Sequence, residues 1–169
     1  MSIEKKYILS KEIANKKLRR MALELVERNY DEPQLVLIGI RDNGIVIADK
    51  LARHLETIFN GTVVVAALTI NKKYPGEVLI EPSIDFNDKV VVLIDDVANS
   101  GRTMLYSLQP LLKTHPKKIQ TAALVERTHK SYPIALDYVG LSISTTLDEH
   151  IYVQVNEGEV EGAWMEVIS

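Results

Sequence analysis

Val90-Val91-Val92-Leu93-Ile94-Asp95-Asp96-Val97-Ala98-Asn99-Ser100-Gly101-Arg102-Thr103 is the stretch on which the reading of this chain turns. An unbroken apolar run from Val90 to Ile94 has the character of a strand buried on both faces, as in a parallel sheet. It delivers two adjacent carboxylates, then a polar turn with a glycine, then a helical pattern from Arg102 to Thr114. Ligands of open α/β sheets bind at the carboxyl ends of such strands.

Working outward, Ser10 is positioned as an N-cap. Ile13, Leu18, Met21, Ala22, Leu25 and Val26 then recur at helical spacing to about Arg28. Leu35 to Ile40 reads as a buried strand, Arg41-Asp42-Asn43-Gly44 as a turn, and Ile45 to Phe59 as a helix. Val63 to Ile70 and Ile119 to Val125 are strands, and short strands are expected at Tyr138–Gly140 and Ile151–Val155. Residues 71–87 contain Pro75, Gly76 and Pro82, and read as a loop or weak hairpin. Strands alternating with helices predict an α/β fold: one domain over 1–169, with a parallel sheet flanked by helices. The turn-rich region 126–150, together with the terminal segments, is expected to form a small cap over the sheet edge.

Composition narrows the function classes. Apolar residues make up 46% of the 169, enough for a core, and no run reaches the length of a membrane span. The amino-terminal MSIEKKYILSKE has no apolar signal-peptide region, and there is no cysteine, so a cytoplasmic location is expected. Net charge is −3. Lys5, Lys6, Lys11, Lys16, Lys17, Arg19 and Arg20 crowd one end. After Lys130 there is no lysine or arginine, while Asp148, Glu149, Glu157, Glu159, Glu161 and Glu166 accumulate. The plainer reading is a solvated helix face and a solubilising tail, rather than a nucleic-acid patch.

The strand-end residues carry the chemistry. Asp95 and Asp96 can hydrogen-bond neighbouring ribose hydroxyls or hold Mg²⁺ through water. Ala98, Asn99, Ser100, Gly101, Arg102 and Thr103 offer hydroxyls and free backbone N–H groups, an anion site by geometry. Capping explains one acid and one hydroxyl. It leaves two consecutive acids at a buried strand end unexplained, and such groups are costly without a role. Acids for a diol beside a nest for a phosphate describe a ribose 5-phosphate pocket.

The motif resembles the PRPP-binding signature of the type I phosphoribosyltransferases. YILSKEIANKKLRRMALELVERN, LIGIRDNGIVIADKLARHL and AALVERTHKSYPIALDYVGLSIS, in that order, resemble the bifunctional pyrimidine operon attenuator/uracil phosphoribosyltransferase proteins over nearly the whole chain. The resemblance implies Mg²⁺-dependent transfer of a phosphoribosyl group from PRPP to a nucleobase, uracil in the first instance. It makes Asp95 and Asp96 the catalytic acids and Ala98 to Thr103 the 5-phosphate loop. It makes Arg41, Asp42, Asn43 and Gly44 the pyrophosphate loop, where Gly44 permits close backbone approach and Arg41 offers a fork of donors. Lys72, Lys73 and Tyr74 open a flexible lid over about 71–87 that would keep water from a reactive cation. Tyr138 would stack on the base, the Val139 backbone would read its edge, and Glu126 would favour uracil over purines. A homodimer or higher homo-oligomer is implied, with no membrane association.

The chain departs from that family's pattern in three places. Asn99-Ser100 replaces the usual Tyr/Thr-Thr pairing but keeps a hydroxyl. Asp42-Asn43 stands where Thr-Arg is usual, and an acid beside pyrophosphate repels it unless a cation bridges them. The lid lacks the Arg-Asp-Asp of the attenuator group. Alternatives are a purine phosphoribosyltransferase, a nucleotide-binding domain with weakened chemistry, and an RNA-binding regulator, for which the basic amino-terminal helix is the supporting feature.

Overall fold

A computed structural model describes residues 3–168. In chain order the elements are β1 (Ile3–Ser10), α1 (Lys11–Asn29), β2 (Gln34–Ile40), α2 (Asn43–Ile58), β3 (Thr62–Ile70), β4 (Val78–Glu81), β5 (Val90–Ala98), α3 (Arg102–Ser107), α4 (Gln109–Leu112), β6 (Lys118–Arg127), β7 (Tyr138–Ile143), β8 (Glu149–Asn156) and β9 (Glu159–Ile168). A six-stranded sheet has the order β4-β3-β2-β5-β6-β7, parallel except for the antiparallel edge strand β4. A second, three-stranded antiparallel sheet has the order β1-β9-β8.

The main sheet is covered on both faces, which is why β2 and β5 read as continuous apolar runs. Leu35, Leu37, Val90, Val92, Ile94 and Leu124 face α1 and α2, together with Ile151, Val153 and Val160 of the small sheet. Val36, Ile38, Val91 and Leu93 point the other way, onto Met104 and Leu111 of α3 and α4. From β2 the chain steps outward to β3 on one side. It then returns to β5 and steps to β6 and β7 on the other. Strand order therefore reverses between β2 and β5, and the loops leaving their carboxyl ends flank the crevice that such a reversal creates.

Ser10 caps α1, its Oγ accepting from the Ile13 amide at 3.2 Å. The helix expected over 102–114 is broken at Leu108, because Pro110 in the first turn of α4 has no N–H to donate back. The segment 71–87 is in part a hairpin, with Val78 to Glu81 pairing antiparallel to Ala67 to Ile70.

Region 126–150 does not build the cap. β7 belongs to the main sheet, and the small sheet is made by the terminal segments with β8. The carboxyl-terminal acids lie on β9, which leaves β8 through a turn with φ 49° at Glu157 and 76° at Gly158, the two positive values of a type I′ hairpin. β1 pairs with β9, so the basic and acidic ends of the chain meet. Lys5 lies opposite Glu166, and Lys11 and Glu161 form an ion pair at 3.3 Å.

α2 is seated against the sheet by two glycines. A Cβ on Gly39 would overlap the Ile45 backbone and lie 2.7 Å from the Gly44 carbonyl, and one on Gly44 would lie 2.7 Å from the Ile94 carbonyl. Gly39→Ala is therefore expected to cost about 3 kcal/mol, the upper part of the range for overpacking a rigid site. Urea denaturation checks this, with an unchanged midpoint counting against the close approach.

Candidate active site

At the carboxyl end of β5, Asp95 is 3% exposed. Its Oδ1 accepts from the Asp96 amide at 2.9 Å and faces the Lys72 ammonium at 3.4 Å. Burial pushes its carboxyl well above the ordinary range, the Asp96 charge pushes the same way, and Lys72 opposes both. Asp96 is more open. Its Oδ1 accepts from the Val97 amide at 2.8 Å and its Oδ2 from Asn43 Nδ2 at 3.0 Å. The two carboxylates thus differ in environment, one buried beside a lysine and one held by neutral donors.

The chain then turns through Asn99, Ser100 and Gly101. Gly101 sits at φ 86°, where a side chain would be strained, and a Cβ there would also meet Ile134 at 3.2 Å. Ser100 is the hub of the turn. Its Oγ accepts from the Arg102 amide at 3.3 Å, and its carbonyl accepts from the Ser131 and Tyr132 amides. Residues 97–104 with Asp95 and Lys72 line a cavity of about 90 Å³, polar and concave, the size of one small anionic group. The expected phosphate loop is therefore a single walled pocket beside Asp95.

Across the crevice, Arg41, Asp42 and Asn43 precede and open α2, with a cis peptide between Arg41 and Asp42. With Ile70, Lys72 and Asp96 they line a second cavity of about 340 Å³. Lys72 borders both cavities, and the twin acids divide between them: Asp95 on the smaller, Asp96 on the larger. Asn43 ties this loop to the small sheet as well, donating to the Val153 carbonyl at 3.0 Å.

The loop 71–77 joining β3 to β4 begins with an Asx turn in which Asn71 Oδ1 accepts from the Lys73 and Tyr74 amides, each at 3.0 Å. Arg102 Nη2 donates to the Lys73 carbonyl at 3.2 Å, and Gln109 Nε2 to the Gly76 carbonyl at 3.4 Å. Tyr74 between these tethers is 73% exposed.

The expected base-reading residues lie elsewhere. Tyr138 is fully buried in β7. Its hydroxyl donates to Gln120 Oε1 at 3.0 Å, and Arg28 lies over its ring. Neither ring face is free for a base. The Val139 carbonyl accepts from Arg20 Nη2 at 2.9 Å, on the α1 side of the sheet. Glu126 is spoken for by Lys130 Nζ at 2.8 Å and by the Ser142 hydroxyl at 2.9 Å. Tyr138–Gly140 reads as a short strand near the end of the chain, whereas β7 is a packed strand of the main sheet.

A third cavity, of about 460 Å³, was not anticipated. It adjoins the first through Asn99 and Ser100 and is otherwise lined by Arg127, His129, Ser131, Thr145, Thr146 and Leu147. Arg127 follows Glu126 and so projects to the opposite side of β6; its guanidinium donates to the Thr146 carbonyl. Leu147 is 90% exposed. The available signal was that lone leucine in an otherwise polar loop, Ser144-Thr145-Thr146-Leu147-Asp148-Glu149.

Comparison with known proteins identifies the family. Residues 6–158 match the phosphoribosyl transferase domain family. The chain is 36% identical to the bifunctional protein PyrR of Pelotomaculum thermopropionicum, covering 93% of this chain and 92% of that one. It is 34% identical to the bifunctional protein PyrR of Bacillus subtilis, covering 91% and 92%. Among solved structures, a hypoxanthine-guanine phosphoribosyltransferase from Bacillus anthracis superposes with a TM-score of 0.75 at 21% identity, over 99% of this chain and all of that one. The walled pocket at the strand end thus sits in the fold its motif implied: this chain belongs to the phosphoribosyltransferase family and resembles its PyrR members.

Proposed function

We infer that the protein transfers the phosphoribosyl group of PRPP to a nucleobase, uracil in the first instance, releasing pyrophosphate. The observation that carries this reading is the pair of anion-sized cavities on either side of Asp95 and Asp96 at the reversal of strand order. The 5-phosphate fits the amides and hydroxyls of Ala98 to Thr103. The pyrophosphate fits the larger cavity beside Arg41 and Lys72. The ribose between them meets the two acids. The bond from C1 to the pyrophosphate oxygen breaks and a bond from C1 to a base nitrogen forms. As positive charge develops on the sugar, the carboxylate pair is already oriented to stabilise it, which lowers the barrier more than it tightens substrate binding.

The donor set suits Mg²⁺. Among the described residues no cluster of three or more His, Cys, Asp or Glu could cage a metal. Two carboxylates beside the place for a substrate pyrophosphate are what this ion uses, the rest of its shell being phosphate oxygens and water. Held by Asp95 and Asp96 through water, such an ion would supply positive charge to offset that of the pyrophosphate and of Asp42. Lys72 and Arg41 supply the protein's own cations, and the loop 71–77 is placed to screen the reacting carbon from water.

The base fits the 460 Å³ cavity, with Leu147 against its face and the Thr145-Thr146 backbone along its edge. The preference for uracil rests on the PyrR resemblance over most of the chain, since Glu126 is neutralised by Lys130. Lys11 of the basic helix pairs with Glu161, Lys16 with Glu12 and Arg20 with Glu24, so part of the charge that would favour RNA is compensated within the chain.

Turnover with PRPP should fall about 10³-fold in Asp95→Asn/Asp96→Asn, the scale of losing preorganised charge, with an unaltered circular dichroism spectrum. Retained turnover would remove the ribose assignment. Leu147→Ala should raise the KM for the base about tenfold, the scale of one lost apolar contact surface, with kcat little changed; steady-state kinetics over a panel of bases reads this and the acceptor preference together. Asp95 also makes a stability prediction. With a folded-state value above the ordinary 3.8, its ionisation opposes folding. That cost is absent below about pH 4, where the carboxyl is protonated folded and unfolded alike, and is complete above the folded-state value. Asp95→Asn should therefore melt roughly 2–4 °C higher than the parent at neutral pH, the shift about 1 kcal/mol gives a domain of this size. The gain should vanish in acid, and a melting point lowered at pH 7 would contradict the sign.

A further inference from the structure

Among the described residues, Lys72 alone lines both strand-end cavities. Its Nζ lies 3.4 Å from Asp95 Oδ1, while the rest of the side chain stays open to solvent, 45% exposed. The charges that line the larger cavity cancel, with Arg41 and Lys72 set against Asp42 and Asp96. Take Lys72 away and the balance turns negative, with Asp95 adding to it from the border. Asp96 has no cation of its own. The Val97 amide and Asn43 Nδ2, both neutral donors, hold its two oxygens. The Lys72 ammonium is therefore the charge that offsets the acid pair, and Mg²⁺ held through water draws on the same two carboxylates. An ammonium is a compact charge on a flexible stem, so it can leave one anion for another without moving the backbone.

We propose that Lys72 is a resident counter-cation that keeps divalent ions off the twin acids until a pyrophosphate-bearing ligand arrives. This rests on the reading of the acid pair as the Mg²⁺ site. In the empty protein the ammonium already offsets Asp95, and a dication brought to the same pair is repelled by it. The acid is buried, so solvent and salt screen that repulsion little. A pyrophosphate changes the balance by bringing fresh negative charge into the larger cavity, which Lys72 also lines. The ammonium turns to the phosphate oxygens, and the acids are released for the ion. Lys72 thus opposes the metal in the empty site and strengthens the hold on the metal-bearing ligand in the occupied one. Part of the mutual reinforcement between metal and pyrophosphate then originates in this single side chain.

The test uses Mn²⁺ as the metal, with the unbound ion counted by electron paramagnetic resonance at one fixed pH and no other ligand present. Lys72→Met should bind Mn²⁺ about tenfold more tightly than the parent, within the usual span of couplings between two sites. Lys72→Arg, which keeps the charge, should match the parent. Adding Asp95→Asn and Asp96→Asn to Lys72→Met should abolish the gain, which locates the ion at the acids. Calorimetry with PRPP at saturating Mg²⁺ should show the opposite sign, Lys72→Met binding about tenfold more weakly than the parent. Unchanged, weaker or unmeasurable Mn²⁺ binding in Lys72→Met overturns the proposal. So does a gain that survives loss of both acids, or a tighter hold on Mn²⁺ with an undiminished affinity for PRPP. Failure of the parent to bind PRPP with Mg²⁺ is a separate result. It removes the phosphoribosyl reading and with it the proposed release of the acids.

Discussion

A carboxyl group kept from water at the end of a central strand is the constraint around which this molecule is arranged. Asp95 is almost fully buried, and its ionised form is opposed by both burial and its neighbour Asp96. Its environment supplies an ammonium from the loop after β3 and one backbone N–H, and little else. Ionisation of a group in that position opposes folding, and groups of this kind concentrate at functional sites. The site's remaining parts are placed by their relation to it: the walled loop beyond it, the larger cavity across from it, and the loop whose lysine reaches it.

Position follows from topology and close packing. The reversal of strand order between β2 and β5 opens a crevice at their carboxyl ends, and α2 descends onto that crevice without side chains in the way at Gly39 and Gly44. The first residues of α2 thus lie beside the acids, close enough for Asn43 to bind Asp96 on one side and the small sheet on the other. The small sheet serves as a brace for that contact. It brings the two ends of the chain together and sets β8 against the start of α2.

Much of this was legible in the residue order because the relevant signals are local. Continuous apolar runs marked the buried strands, Ser10 marked the start of α1, and the acids followed by a glycine turn marked the walled pocket at the end of β5. What escaped was decided by partners distant in sequence. β1 and β9 mix charged and apolar residues, and their acids and lysines look like solvated ends until they are paired. The family resemblance makes Tyr138 a base-stacking residue, yet Asn29, Gln120 and Arg28, all remote in sequence, enclose it. Glu126 has the residue type expected of a base reader, but Lys130 and Ser142 claim both its oxygens. The base-sized cavity was missed because its walls come from three separate segments, of which Leu147 alone is conspicuous.

The account joins two anion sites and two acids into one receptor for a doubly phosphorylated sugar, with a third cavity alongside for the acceptor. A crystal structure with PRPP and Mg²⁺ bound tests this most directly. The account places the 5-phosphate on the amides of residues 99–103, the ribose hydroxyls on the twin acids, and the pyrophosphate beside Arg41 and Lys72. Density for the sugar away from the carboxyl ends of β2 and β5, or a 5-phosphate seated beside Arg41 with the 99–103 loop empty, would contradict it.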